Sequence, residues 1–200
     1  MEIKSNKSEF INDMIGFKTQ LESSLNRSIY DKEIEEIRKD YIGRISKERF
    51  KEYLVKKTTL HITFKYIMIR MSSESQNLVQ PKFNKEGIRT WGELSKNYRK
   101  DYYLLFKYAC KDLERQKETR SLFEPCIYDN YIDKVKFNFF NKNQDNYIEK
   151  LQIYNFKTLD PNTAVSLFDI LYPSDDREKL EGFLEESKVT TELMKSLGLL

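Results

Sequence analysis

Between Arg44 and Ser72 the chain runs without a glycine or a proline. No feature restricts the fold more, because an unbroken segment of that length outruns a β-strand, typically about 5–6 residues. Its apolar residues send two messages. Phe50, Leu54, Leu60, Phe64, Ile67 and Met71 suit one helix, and Ser46 stands where an N-cap would be. Leu60, Ile62, Phe64 and Tyr66 also alternate with His61, Thr63 and Lys65, which is the period of a strand. Length decides for a helix, from Ser46 to about Ser73, buried on most of its sides.

The rest of the chain extends that reading to an all-α fold, mainly a helical bundle. Six glycines and four prolines in 200 residues leave few breakers. Phe10, Met14, Phe17, Leu21 and Leu25 mark one face of a helix over 8–28 with Ser8 as its cap. Ile34, Ile37, Tyr41 and Ile45 mark a second helix from about Asp31 to Ile45. Residues 75–90, punctuated by Pro81 and Gly87, read as a loop. Thr90-x-x-Glu93 then reads as a capping box opening a helix to about Lys117, with Leu94, Tyr98, Tyr102, Leu105, Ala109 and Leu113 as its apolar stripe. Ser121-x-x-Glu124 repeats the capping pattern before Pro125. Over 131–156 two readings compete: a small β-hairpin around 133–154, suggested by Val135, Phe137 and Phe139, or two short helices. Asp160-Pro161 is a helix start that directs Val165, Phe168 and Leu171 inward, and Ser174 opens a further helix to about Glu186. The whole is expected to be one helical domain, with a basic part over 1–75 and an aromatic and acidic part over 90–200.

Familiar catalytic chemistry finds little to work with. A single histidine, His61, rules out a two-histidine metal site, and Cys110 and Cys126 match no zinc or redox spacing. His61 sits in an apolar helix without a marked nucleophile, so it is expected to be structural. There is no glycine-rich dinucleotide or phosphate loop. Glu2-Ile3-Lys4 and Glu186-Ser187-Lys188 have a nuclease-like form but lack the companion acids on a strand. No catalytic residue, cofactor or metal is therefore expected. The first residues carry no apolar signal region and no apolar run is membrane-length, which points to a cytoplasmic chain with free thiols and no membrane partner.

Charge is the remaining clue. Residues 1–100 hold 21 Lys and Arg against 14 Asp and Glu, whereas residues 101–200 hold 14 against 18. The stretch Arg38–Arg70 concentrates ten cations with three acids, and residues 160–200 hold nine acids with four cations. A basic stripe is the footprint of phosphate binding, and Arg44, Lys47, Arg49, Lys51, Lys56 and Lys57 are the expected contacts to DNA. The competing readings are that the two halves attract each other, or that the charges merely solvate a helix face. Tyr103 and Tyr108, off the main aromatic stripe, are the aromatics expected at the surface.

Several elements together resemble a known context. They are Phe64–Met71 with Glu74 behind it, an aromatic helix over Trp91–Leu113, Leu122-Phe123, Tyr154-Asn155-Phe156, and Leu167-Phe-Asp-Ile-Leu-Tyr172. The set is similar to the helical segment preceding the catalytic domain of bacterial DNA adenine methyltransferases, including fused restriction–modification enzymes. The chain departs from that pattern where Met71-Ser-Ser separates the arginine from the acid and where Pro173 follows Tyr172. It also has no Phe-x-Gly-x-Gly cofactor loop and no Asn-Pro-Pro-Tyr catalytic loop. The resemblance implies a non-catalytic accessory module that contacts DNA and docks a methyltransferase or other catalytic domain. The alternative is a phage or mobile-element module that binds a host protein through its acidic C-terminal face.

Overall fold

The computed structural model describes residues 1–29, 31–39, 45–95, 102–134, 146–184 and 187–196. The fold is all-α, and no strand occurs among the described residues. Eleven α-helices are present among them: α1 Lys7–Ser28, α2 Asp31–Arg38, α3 Lys47–Glu74, α4 Lys85–Leu94, α5 Tyr102–Glu114, α6 Arg120–Phe123, α7 Ile127–Lys134, α8 Tyr147–Leu151, α9 Pro161–Leu171, α10 Ser174–Leu180 and α11 Lys188–Ser196. None is long and apolar enough to cross a membrane.

The glycine-free stretch is α3, and everything else is arranged around it. Ser46 caps it as expected, its hydroxyl accepting from the Arg49 backbone N–H. Helices α1, α2, α5, α7 and α11 all pack against α3. From Leu54 to Glu74 nearly every side chain is consequently buried, including Thr58, Thr59, His61, Thr63, Lys65, Arg70, Ser72 and Ser73. A helix covered all round has no polar face to set a period. The alternation at Leu60–Tyr66 is thus a consequence of complete burial. Two of its short polar side chains bond back along the helix, Thr63 Oγ1 to the Thr59 carbonyl at 2.8 Å and Ser73 Oγ to the Ile69 carbonyl at 2.7 Å, whereas the Thr58, Thr59 and Ser72 hydroxyls are buried without a hydrogen-bond partner among the described residues.

Helix α1 supplies the other wall. Phe10, Met14, Phe17, Leu21 and Leu25 are all completely buried, and Phe17 packs on Tyr66 with ring centroids 5.1 Å apart. Asn6 stands at its start, so Ser8 lies within the first turn and not at the cap. The N-terminus is pinned to the turn after α8. The Met1 ammonium donates to the Ile153 carbonyl at 2.7 Å and the Asn155 N–H donates to the Met1 carbonyl at 2.9 Å. Among the described residues, all the buried apolar side chains but Tyr128 form one cluster from Ile3 to Leu193.

Several boundaries differ from expectation. Helix α2 ends at Arg38, and residues 40–44 lie outside the described set. The loop after α3 is shorter than expected because Asn84, not Thr90, caps α4: its side chain accepts from the Gly87 N–H at 2.8 Å. Gly87 therefore sits in a helical first turn instead of punctuating a loop. A Cβ there would lie 2.5 Å from the Pro81 carbonyl oxygen, so it is this close crossing of the chain that requires glycine. Leu94 ends α4 with 75% of its surface exposed and is not part of an inward stripe. Thr119, not Ser121, precedes α6. The alternating residues Val135, Phe137 and Phe139 lie outside the described residues, but both flanks of the anticipated hairpin are helical, α7 and α8. Asp160 caps α9, accepting from the Thr163 N–H at 3.1 Å, and buries Leu167, Phe168 and Leu171, with Val165 only half-buried. Helix α10 stops at Leu180, six residues short of Glu186.

Candidate functional site

The predicted phosphate contacts divide at Leu54, where α3 dives under its neighbours. Before it, Arg49 is exposed and Lys47 and Lys51 are half-buried; Lys47 also reaches Glu35 at 3.2 Å. After it, Lys56 spans Glu52 at 3.3 Å and Asp176 at 3.0 Å. Burial disfavours its charge, but those two carboxylates more than compensate and raise its pKa. Lys57 is 4% exposed and donates to the Leu184 carbonyl at 3.2 Å, which takes it off the surface a phosphate could reach. Arg44 lies outside the described residues. The Lys56–Asp176 pair joins the basic half to the acidic one, so part of the charge asymmetry is spent inside the fold. Of the aromatic candidates, Tyr108 is 48% exposed beside Trp91, whereas Tyr103 is half-buried under the Lys107 ammonium.

Two ionic clusters lie deeper, both on α3. The first centres on Arg70, which is completely buried. Its guanidinium pairs with Glu74 one turn on and donates to the Tyr66 hydroxyl at 3.1 Å. It also donates to the backbone carbonyls of Leu151 at 3.0 Å and Tyr154 at 2.7 Å. The Phe156 ring stacks 4.2 Å from its central carbon. Glu74 in turn accepts from the Phe156 N–H at 3.0 Å. Burial opposes the charge on Arg70, and Tyr66 and Glu74 outweigh it. The pair therefore clamps the turn after α8 against α3, with four of the five guanidinium N–H groups and both Glu74 oxygens engaged.

The second cluster unites residues that are distant in sequence. His61 and Lys65, one turn apart on α3, face Asp129 and Cys126 at the start of α7. Asp129 Oδ1 lies 2.7 Å from the Lys65 ammonium and 3.2 Å from His61 Nε2. Its other oxygen accepts from the Cys126 N–H at 2.9 Å. This is half of a capping box, with the N3 carboxylate reaching back to the N-cap amide, and it fixes Cys126 and Asp129 relative to each other. Cys126 Sγ is 3.7 Å from His61 Nε2. Burial alone would raise the Asp129 carboxyl, but His61 and Lys65 hold it well below the usual carboxylate range. Burial pushes the Cys126 thiol up, with the Asp129 charge adding to it.

A cavity of about 400 Å³ opens onto this cluster, with Lys65, Asp129, Lys107, Cys110, Lys111 and Glu114 among its lining residues. Burial pushes the Cys110 thiol up to about 12. The arrangement does not suit nucleophilic catalysis. In a cysteine–histidine–carboxylate relay the two partners engage opposite ring nitrogens, whereas here Sγ and Oδ1 both face Nε2, and both thiols are driven toward the unreactive protonated form. Nitrogen, sulfur and oxygen converging on one point is instead the pattern of a ligand cage.

His61 was legible as a buried structural residue, and it is buried, with 2% exposure. Its partners were not. The signals that could have found them are the i, i+4 pair His61–Lys65 and the Cys126-x-x-Asp129 spacing at a helix start after Pro125. Comparison with protein-family models, with curated proteins and with solved structures finds no match for the chain.

Proposed function

We propose that this chain is a non-catalytic helical module of a DNA-modifying system of restriction–modification or adenine methyltransferase type, which contacts duplex phosphates and docks a catalytic partner. The observation that carries the reading is the cation set at the start of α3: Arg49 exposed, Lys47 and Lys51 at its sides, on a helix whose remaining length is core. Lys39, exposed just after α2, extends it. Cations held on the end of a rigid, deeply packed helix are positioned for phosphates without sequence readout. Two elements of the methyltransferase-like pattern, Phe64–Met71 with Glu74 and Tyr154-Asn155-Phe156, are joined through Arg70, which gives that pattern a structural reason.

The test is fluorescence anisotropy of the full chain with a labelled duplex across a salt series. Binding should weaken steeply with salt. Arg49→Ala with Lys51→Ala should flatten the logarithmic slope by about 2, roughly one unit per lost phosphate contact, while leaving the helical circular dichroism unchanged. Absence of binding at low ionic strength overturns the reading. In its place would stand the protein-binding alternative, which the exposed acids Asp175, Glu178 and Glu181 at α10 favour. A partner retained from nuclease-treated lysate and lost on neutralising those three acids would then support that alternative.

A further inference from the structure

We propose that His61, Cys126 and Asp129 form a binding site for a divalent cation of zinc type. The donor set is imidazole nitrogen, cysteine sulfur and carboxylate oxygen, three protein ligands of the kinds zinc takes. Their donor atoms all lie within 4.8 Å of one another. The two edges that meet at His61 Nε2 have the lengths a zinc ion would give them. Tetrahedral zinc, with bonds of about 2.0–2.1 Å to nitrogen, about 2.3 Å to sulfur and about 2.0–2.2 Å to oxygen, holds nitrogen and oxygen about 3.3 Å apart and nitrogen and sulfur about 3.6 Å apart. The corresponding distances here are 3.2 Å and 3.7 Å.

The frame around these atoms is rigid. His61 projects from the most deeply packed helix of the fold, and α7 packs directly on that helix. The Cys126 N–H held by Asp129 Oδ2 leaves Oδ1 directed at the histidine, the outer-shell orientation that metal carboxylates usually receive. A fourth position is left for water or an anion from the cavity that Asp129 lines. On binding, the Cys126 thiol releases its proton to solvent and His61 carries its ring proton on Nδ1. Thiolate and carboxylate then balance the two charges of the ion. Lys65, 2.7 Å from Oδ1, is the competitor: its ammonium neutralises Asp129 when no ion is there and repels an incoming one. The site is therefore one whose affinity Lys65 holds down.

The chelator-stripped, reduced full chain is titrated with Co²⁺ as a spectroscopic substitute, followed by displacement with Zn²⁺. The expected result is one equivalent bound, tetrahedral visible bands and a thiolate charge-transfer band, all lost on adding Zn²⁺. Cys126→Ser, at a half-buried position, should abolish the charge-transfer band and weaken binding at least ~10-fold, while Cys110→Ser keeps the band. Lys65→Met should tighten binding roughly tenfold by removing the adjacent positive charge. Failure of the band to appear in both the native chain and Lys65→Met overturns the proposal. So does a band that persists in Cys126→Ser, because the ion would then sit elsewhere.

Discussion

The two ionic clusters on α3 each set a buried cation against a carboxylate, Arg70 with Glu74 and Lys65 with Asp129, yet they are built to opposite ends. Around Arg70, the guanidinium serves Glu74, the Tyr66 hydroxyl and two backbone carbonyls, and the second Glu74 oxygen takes the Phe156 N–H. Four of the five guanidinium N–H groups are thereby engaged, and no part of Arg70 reaches solvent. Around Asp129, whose side chain keeps 22% exposure, the donors of His61 and Cys126 meet a carboxylate that itself lines a cavity. A buried charge whose partners are all protein groups stabilises a fold only as long as every partner stays. A charge that keeps partial access to water and shares its site with metal-ligating side chains can trade one partner for another.

The largest effect that tests this contrast is Arg70→Met. It leaves Glu74 buried without its counter-charge and two carbonyls without donors, so urea unfolding should register a loss of about 3–5 kcal/mol. Lys65→Met should cost less, about 1–3 kcal/mol, because Asp129 keeps the Cys126 N–H and partial access to water. Equal losses in the two variants would remove the distinction between a closed and an open cluster. Smallest of all, Arg49→Ala should change stability by no more than about 0.5 kcal/mol, as expected for a solvated side chain, while still lowering duplex affinity in the anisotropy assay. A large stability loss there would mean that the start of α3 is structural, with no face free for phosphates.

Where a local rule governs a local outcome, the sequence could be read directly. Ser46 caps α3, Asp160-Pro161 opens α9, and the five-residue face of α1 is buried throughout. Where neighbours decide, it could not. Lys56, Lys57, Lys65 and Arg70 count equally as cations in the sequence, but only position relative to Asp176, Leu184, Asp129 and Glu74 determines that they turn inward. Thr90-x-x-Glu93 has the form of a capping box, but Asn84 supplies the cap six residues earlier because Gly87 lets the chain at Pro81 pass close by. The candidate site is the extreme case. His61 and Asp129 are separated by 68 residues, and the local signals at each, His61–Lys65 and Cys126-x-x-Asp129, do not say that the two meet.

The contrast between the clusters is tested most directly by urea unfolding of the reduced, chelator-free chain with and without Zn²⁺, for the native sequence, Lys65→Met and Cys126→Ser. An ion that binds the folded site alone should raise native stability by about 2.7 kcal/mol when free Zn²⁺ is 100-fold above its dissociation constant, and should leave Cys126→Ser at its metal-free value. An equal shift in the native chain and Cys126→Ser, or none in either the native chain or Lys65→Met, would contradict the open cluster and reduce His61, Cys126 and Asp129 to core polar contacts like those of Arg70.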